Sequence, residues 1–354
     1  MTKNSKFASK LGCVLCQDVV NPGTDLQEEV SMKKLVVFVL AVMVAIAPAF
    51  ARGGSEAQNS DGKFRVAYIA RAQGDAFAAW LANSVKEEAG KYADIELVVM
   101  DGQASDDIQN SLIENAITQR FDAIIIQPNN GESQRPYAEK VVQAGIICIT
   151  TNARISGIAG ASSVDADPFE QAAVQARAAM SQIPQNAKVV VLKGPPGNFH
   201  ADARRESWQT NFFAKRHDVT IVGEQIANWN KDEAMNLMED WVQANPKIDA
   251  IVAMNDNMAA GALEVVKNDA RFRGILSYGV DGTAEACLLI KSGVMTSTTL
   301  QSAYALAENI LTTVDKLLKG AKGPIDLDID CPLVNQDNVD QYIEMHKKAG
   351  AIKG

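Results

Sequence analysis

Two hydrophobic periodicities alternate along most of this chain, and that alternation constrains its fold more than any other feature. Short apolar runs such as FRVAYIA (64–70) and IELVVM (95–100) are typical of buried strands. Between these two runs, Phe77, Leu81 and Val85 recur every four residues, which indicates a helix with one apolar face. Strands that lack polar alternation are expected where helices cover both faces of a parallel sheet. The pattern therefore predicts an α/β protein built on parallel sheets.

The second half of the chain repeats the order of the first. The predicted strands are 64–70, 95–100, 122–127 and 146–150 in the first half, and 187–193, 219–224, 249–254 and 274–280 in the second. The strand that starts at Asp122 matches the one at Asp249, and residues 145–152 match residues 274–281, at offsets of 127 and 129. A third, looser match joins the opening segments of the two halves. Three matches at nearly one offset predict two similar doubly wound lobes.

Residues 33–51, KKLVVFVLAVMVAIAPAFA, have the three parts of a secretory signal peptide. Two lysines precede an apolar run of twelve residues, too short for a membrane span, and AFA at the end is an A-x-A cleavage site. We therefore expect residues 1–51 to be an extension and signal peptide, with residues 52–62 as a polar tether. The expected location is the periplasm.

The cysteines do not predict a disulfide framework. Cys13 and Cys16 form a CxxC pair, but neither a flanking strand and helix nor a second pair supports a metal or redox site there. Cys148 and Cys287 lie in apolar patterns and are expected to be buried free thiols. The sequence leaves open whether the natural start is the first methionine or Met32.

Charge and motifs argue against several function classes. The net charge of −9 makes the surface repel phosphate backbones, so we expect no nucleic-acid partner. The loop at 194–197 follows a strand but lacks the Gly-Lys-Ser/Thr of a P-loop, and a G-x-S-x-G elbow is absent from the sequence. His200 is expected near the edge of a cleft, as a surface residue at a helix start rather than as a general base. We therefore predict that the protein is not an enzyme and has no catalytic residue, metal or cofactor.

Polar residues follow the predicted strands where each strand ends, for example Asp75, Asn152, Asn255 and Asp281. Ligands of open parallel sheets bind beyond the carboxyl ends of the strands, so matching edges on two lobes predict a cleft. Amides and carboxylates provide both donors and acceptors for hydroxyl groups. Interleaved aromatic rings can stack on a sugar.

An ordered set of motifs extends from about Lys63 to Tyr342 and includes VAYIARAQGDAF, DAIIIQPNN, VVLKGPPGNFHADARRESW, AIVAMNDNMAAGAL and YGVDGTAEA. With these motifs the chain resembles the periplasmic solute-binding proteins of sugar ABC importers, the ribose-binding-like group of type I periplasmic binding proteins. The resemblance implies an α/β fold of two similar doubly wound parallel-sheet lobes joined by a three-crossover hinge.

The resemblance also implies where the chain passes between the lobes, namely near Ala166, Gln301 and Asp330. Each lobe is then discontinuous in sequence. The expected N-terminal lobe is 63–166 plus 302–330, and the expected C-terminal lobe is 167–301 plus 331–354.

Ten ligand-binding residues follow from the resemblance, carried over position by position. They are Asp75, Phe77, Gln127, Asn152, Arg154, Arg204, Trp229, Asn255, Asp281 and Gln301. Two positions depart from the ribose pattern: Asn152-Ala153-Arg154 stands where an Asp-Arg pair is frequent, and Trp229 replaces a smaller ring. Ribose-like pentoses and inositol-like polyols both stay open as ligands.

Several of these residues have a structural alternative. Asp75, Asn255 and Asp281 could each cap a helix, since Asp and Asn are favoured at that position. Arg154 could pair with a surface acid.

The leading hypothesis is an extracytoplasmic solute-binding protein. It would capture a monosaccharide or cyclic polyol between its lobes by hinge closure and deliver it to an ABC permease, acting as a monomer. The alternative is a ligand sensor that docks on a chemoreceptor or a sensor-kinase ectodomain. A repressor is disfavoured because a signal peptide, not a helix-turn-helix, precedes Phe64. An enzyme on the same scaffold is the third hypothesis.

Overall fold

The structure is a computed structural model that describes residues 62–353. The predicted signal peptide, its cleavage site, the early cysteine pair and all of the predicted tether except Gly62 lie outside these residues.

Strands and helices alternate along the described chain as the periodicity predicts. The strands are β1 (Phe64–Ala70), β2 (Ile95–Asp101), β3 (Ala123–Ile126), β4 (Ile147–Thr150), β5 (Ser162–Ala166), β6 (Lys188–Lys193), β7 (Thr220–Ile226), β8 (Ala250–Ala253), β9 (Leu276–Asp281), β10 (Ser297–Leu300), β11 (Asp326–Ile329) and β12 (Leu333–Asn335). The helices are α1 (Ala76–Ala89), α2 (Asp106–Thr118), α3 (Gly131–Gln143), α4 (Pro168–Gln182), α5 (Phe199–Trp208), α6 (Lys231–Ala244), α7 (Asp256–Val266), α8 (Ala284–Lys291), α9 (Ala303–Leu318) and α10 (Val339–Lys348).

Most helices begin at a short polar residue directly after a strand or loop. Ser105 starts α2 by accepting a hydrogen bond from the Ile108 amide, and Asn230 starts α6 by accepting from the amides two and three residues on. These caps satisfy amides that have no partner within the helix. They therefore fix where each strand–helix turn ends.

The strands form two six-stranded sheets, in the orders β11-β5-β4-β3-β1-β2 and β12-β10-β9-β8-β6-β7. All pairings are parallel except that of β12 with β10, which is antiparallel. The chain passes from the first sheet to the second after β5, returns after β10 through α9, and crosses again between β11 and β12. The α/β fold with two lobes and a three-crossover hinge is therefore confirmed, while the residue at which each lobe begins stays a prediction.

Helices cover both faces of the first sheet, as its apolar strands require. Val66 and Tyr68 on β1 pack with α1 and α9 on one face, whereas Ala67 and Ile69 pack with α2 and α3 on the other. Trp80 on α1 is partly buried against the core of each lobe. Cys148 and Cys287 are buried and free, as predicted.

All eight predicted strands are present, with ends that shift by up to two residues, but four further strands were missed. β5 reads SSVDA and β10 reads STTL, so each is a buried strand with polar side chains. β11 is largely exposed at a sheet edge, and β12 has only three residues. Hydrophobic periodicity cannot find such strands because their side chains make hydrogen bonds instead of an apolar face. Within the described residues, no helix is both long and apolar enough to cross a membrane.

Candidate ligand site between the lobes

The carboxyl ends of both sheets face one small cavity. Its lining residues are Arg71, Asp75, Phe77, Asn152, Asn198, His200, Arg204, Trp229, Asn255, Asp281 and Gln301. The cavity has a volume of about 20 Å³, enough for roughly one water molecule. A sugar-sized ligand therefore enters only when the lobes move apart.

The lobes touch beside this cavity. The Asn198 side-chain amide donates to the carbonyl of Asn129 at 3.2 Å, and the Gly131 amide donates to the carbonyl of Gly197 at 3.3 Å. A methyl group at Gly197 would lie 2.6 Å from the Asn130 side chain. Gly197 also has a positive φ of +74°, so glycine is favoured at this contact between the lobes.

Residues from the end of β1 form one wall. Asp75 caps α1 by accepting from the Ala78 amide at 2.8 Å, and the same oxygen lies 2.9 Å from the Arg71 guanidinium. Both side chains of this ion pair are about nine-tenths buried. The Phe77 ring follows on the first turn of α1 and is buried.

Two asparagines from the second lobe also start helices at the cavity. Asn198 caps α5, and Asn255 caps α7 by accepting from the Met258 amide at 2.9 Å. The capping alternative is thus correct for Asp75 and Asn255, and both residues line the cavity as well. Each retains a second polar atom beyond the one that accepts the capping bonds.

A chain of amide and carboxylate side chains crosses the hinge. Gln127 donates to Asn152 at 2.8 Å, Asn152 donates to Gln301 at 3.1 Å, and Gln301 donates to Asp281 at 2.7 Å. This hydrogen-bond network extends from the first sheet to the second, so it couples polar groups of both lobes. Gln127 is fully buried behind Asn152 and does not line the cavity.

Arg204 is the buried cation of the second lobe. It donates to the Met254 carbonyl at 2.7 Å and to the Gln171 side chain at 2.8 Å, and it lies 3.8 Å from Asp281. Burial lowers the pKa of the guanidinium, and the neighbouring carboxylates, led by Asp281, oppose that shift. Arginine side chains nevertheless stay charged in proteins.

His200 joins this cation to the first lobe. Its Nδ1 lies 3.3 Å from the Arg204 guanidinium, and its Nε2 lies 3.0 Å from Asp165 at the end of β5. Since a guanidinium can only donate, Nδ1 must accept, and Nε2 carries the proton that it donates to Asp165. Burial lowers the pKa of His200, which favours this neutral form. The expectation of a surface position for His200 was wrong: it starts a helix, but it is 3% exposed.

Asp281 ends β9 in a backbone conformation that side chains rarely adopt, with φ +131°. Burial raises its pKa well above the usual range, Arg204 opposes the shift, and the nearby Asp256 and Asp75 add to it. The capping alternative for Asp281 was wrong, since Thr283 caps α8 by accepting from the Ala286 amide. The Asp281 carboxylate is therefore free of any role in starting that helix.

Trp229 closes the second-lobe wall. Its ring lies against Gly194, where a Cβ would come within 2.2 Å of it, and the Arg204 guanidinium lies 5.6 Å from the ring centroid. Asn152 and Trp229 also have positive φ values, of +38° and +62°. With Asp281, three residues that line the cavity hold such conformations. Backbone strain of this kind tends to gather at functional sites.

The structure brings eight of the ten predicted residues to the cavity and leaves two away from it. Gln127 supports Asn152 from behind, as described above. Arg154 instead pairs with the exposed Asp328 on the edge strand β11, which matches the ion-pair alternative, and with the buried Asp165 on β5.

Three cavity residues were not among those predicted. Asn198 had a visible signal, because it follows a strand and matches Asp75 across the repeat. Arg71 precedes Asp75 by only four residues, but no motif pointed to it, and only the fold brings His200 beside Asp165. Among the described residues, no cluster of three His, Cys, Asp or Glu side chains could hold a metal ion.

This fold and cleft place the chain in a known class. Residues 66–322 match the family model described as a periplasmic binding protein domain, so the chain belongs to the periplasmic binding proteins, in the ribose-binding-like type I group. It is 31% identical over 263 residues to a xylitol-binding protein of Mycolicibacterium smegmatis, covering 73% of this chain and 75% of that protein. It is 25% identical over 301 residues to the ribose import binding protein of Escherichia coli K12, covering 84% and 98%.

A solved structure agrees with these relatives. An ABC transporter solute-binding protein from Bacillus halodurans C-125 with bound myo-inositol superposes with a TM-score of 0.75 at 26% identity, covering 82% of this chain and 99% of that one. Members of this family are binding proteins.

Proposed function

We propose that the protein is an extracytoplasmic solute-binding protein that captures a monosaccharide or cyclic polyol between its lobes and delivers it to an ABC permease. The observation that carries this proposal is the charge balance of the cavity, which combines amides with acids that already face a cation or an amide. Asp75 faces Arg71, and Asp281 faces Gln301 and Arg204. A neutral ligand rich in hydroxyls fits such walls, because a charged ligand would leave one buried charge without a partner.

Donors and acceptors come from both lobes, which supports capture by closure. Asp75 and Asn152 lie on the first lobe, whereas Asn255 and Asp281 lie on the second. A ligand that bonds to both walls favours the closed arrangement over the open one, and its differential affinity sets the shift. The Phe77 and Trp229 rings offer apolar faces for the carbon-bound hydrogens of a sugar or polyol.

The relatives narrow the ligand panel. One binds xylitol, one belongs to ribose import and one holds myo-inositol, so pentoses, pentitols and inositols are the first candidates.

Export through the predicted signal peptide, a periplasmic location and a monomeric state belong to the same proposal. N-terminal sequencing of the secreted protein, expected to start at Arg52, tests the export. Docking on a chemoreceptor or a sensor kinase stays a prediction.

Isothermal titration calorimetry of the secreted protein against ribose, other pentoses, hexoses, xylitol and inositols tests the proposal. We expect one of these ligands to bind with a stoichiometry of one and to raise the melting temperature, because it binds only the folded protein. A panel in which no member binds would overturn the sugar and polyol assignment. Turnover of a ligand, detected by product analysis of the same mixtures, would revive the enzyme hypothesis.

A further inference from the structure

One side chain of the last described helix, α10, contacts the loop at 282–283, which follows Asp281 at the end of β9. His346 is 1% exposed, and its Nε2 lies 2.9 Å from the carbonyl oxygen of Gly282. Since a carbonyl only accepts, Nε2 carries the proton and donates it. Burial lowers the pKa of His346, so the ring is neutral and its Nδ1 is a buried acceptor without a hydrogen-bond partner.

The carbonyl that His346 holds belongs to the residue next to Asp281. Asp281 and Gly282 both have positive φ values, of +131° and +70°. A methyl group at Gly282 would lie 2.5 Å from the Leu300 side chain, so this backbone passes tightly against β10. Glycine adopts a positive φ without strain, whereas the conformation of Asp281 persists only where the surroundings over-determine it.

The amides of this loop have partners on β10 and α7, whereas the Gly282 carbonyl is held by His346. The Gly282 amide donates to Thr298 Oγ1 at 3.2 Å, and the Thr283 amide donates to Asp256 at 2.9 Å. On the carbonyl side of Gly282, the contacts recorded within residues 62–353 are the His346 hydrogen bond and a weak 3.7 Å contact from the Cys287 thiol. His346 is therefore the strong tether on that side.

The same imidazole touches the opposite lobe. Its centroid lies 5.0 Å from that of Trp80 on α1 and 6.2 Å from that of Tyr304 on α9, and both of these helices pack on the first sheet. Trp80 in turn packs against the cores of both lobes. One side chain thus contacts the loop that presents Asp281 and the aromatic surface of the facing lobe.

We propose that His346 is a positioning residue for the ligand site: its Nε2–H holds the Gly282 carbonyl and thereby fixes the Asp281 carboxylate towards the cavity. The part of this inference that concerns ligand affinity rests on the proposed function. The part that concerns the geometry of the loop does not. It makes the C-terminal helix part of the binding apparatus, although α10 contributes no residue to the cavity lining.

Two substitutions separate the hydrogen bond from the packing. His346→Phe keeps a ring against Trp80 but has no donor, whereas His346→Gln places a donor nitrogen at the position of Nε2. His217→Phe, at an exposed histidine, is the matched control. His346→Met is a second donor-free variant in case His346→Phe does not fold.

Hydrogen–deuterium exchange of the amides at 282–286 and calorimetric affinity for ribose, xylitol and myo-inositol are measured on all variants. We expect His346→Phe to speed exchange in this loop and to weaken binding roughly fivefold to tenfold, the effect of about one lost hydrogen bond. His346→Gln should restore both measurements, and His217→Phe should change neither.

Three results would overturn the inference. Loop exchange in His346→Phe could equal that of the original chain, binding could stay unchanged while exchange rises, or His346→Gln could behave as His346→Phe does. If none of the three ligands binds the original chain, the sugar and polyol proposal is in question for them, and the exchange comparison alone decides the inference about the loop.

Discussion

Replacing Asp281 by asparagine separates its ligand chemistry from its structural surroundings. Asparagine has the same shape, tolerates positive φ better than most residues and keeps one oxygen for the Gln301 hydrogen bond of 2.7 Å. The substitution changes the other carboxylate oxygen into a donor. A ligand hydroxyl that donates to that oxygen would then lose its partner.

The expected loss of affinity follows from the ligand hydroxyl that is left without an acceptor. A buried donor without a partner costs about 1–3 kcal/mol, and about 1.4 kcal/mol corresponds to a tenfold change in affinity. We therefore expect Asp281→Asn to weaken binding by roughly tenfold to a hundredfold for one lost bond. Calorimetry with the ligand identified from the panel measures this change.

Thr283→Ala is the matched control, because Thr283 is the residue that starts α8. Its hydroxyl accepts from the Ala286 amide at 3.2 Å. Losing this cap should cost about 1 kcal/mol of folding free energy and leave affinity nearly unchanged. An Asp281→Asn variant that binds within twofold of the original chain would refute the placement of the site. Equal losses of affinity in both variants would show that the loop conformation, not the carboxylate, controls binding.

Three further substitutions test other parts of the site. Burial raises the pKa of Asp256 to about 7, so the contribution of its neutral carboxyl group to the free energy of unfolding is present at low pH and is lost as the pH rises from about 4 through 7. Asp256→Asn should therefore raise the melting temperature near pH 8 more than at pH 5 in a thermal scan. Arg154→Ala should leave calorimetric affinity within about twofold, because Arg154 does not line the cavity and pairs with Asp328 on the edge strand β11 and with Asp165 on β5. A tenfold loss would show that Arg154 belongs to the ligand site. Gly194→Ala should displace the Trp229 ring and weaken binding, whereas Gly74→Ala, whose added carbon meets nothing within 4 Å, should not.

Closure of the lobes is the step on which these predictions depend. The cavity measures only about 20 Å³, and some of the side chains that line it, such as Asn152 and Gln301, bond to one another across the hinge. A ligand must therefore replace some of these bonds as well as add its own. Its net affinity is the difference between the two sets, so a substitution at Gln127, which does not line the cavity, can change affinity without contact with the ligand.

The sequence by itself determined the architecture of the lobes. Apolar strands of four to seven residues that alternate with helices require a parallel sheet covered on both faces, and the matched halves require two such sheets. The same pattern places polar residues at strand ends, which identified Asp75, Asn152, Asn255 and Asp281. These inferences succeed because strand periodicity and helix caps depend on residues close together in the chain.

Only the tertiary structure decided which charges meet. Arg154 and Arg204 both belong to motifs that imply ligand contact, yet Arg154 lies beside Asp328 at a sheet edge and Arg204 lies in the cavity. The sequence gives no sign that His200 joins Arg204 to Asp165. His200 and Arg204 are four residues apart on one helix, but Asp165 is 35 residues from His200, so that pairing depends on strand order and lobe contact.

The positive φ values of Asn152, Trp229 and Asp281 were equally hidden, because no local pattern marks them. Such strained conformations are held by distant contacts, such as the packing of Trp229 against Gly194 and the hydrogen bond of His346 to Gly282. Local sequence thus sets where strands and helices begin, since short-range geometry governs them. The details of the site depend on long-range packing, which exists only once both lobes have folded and met.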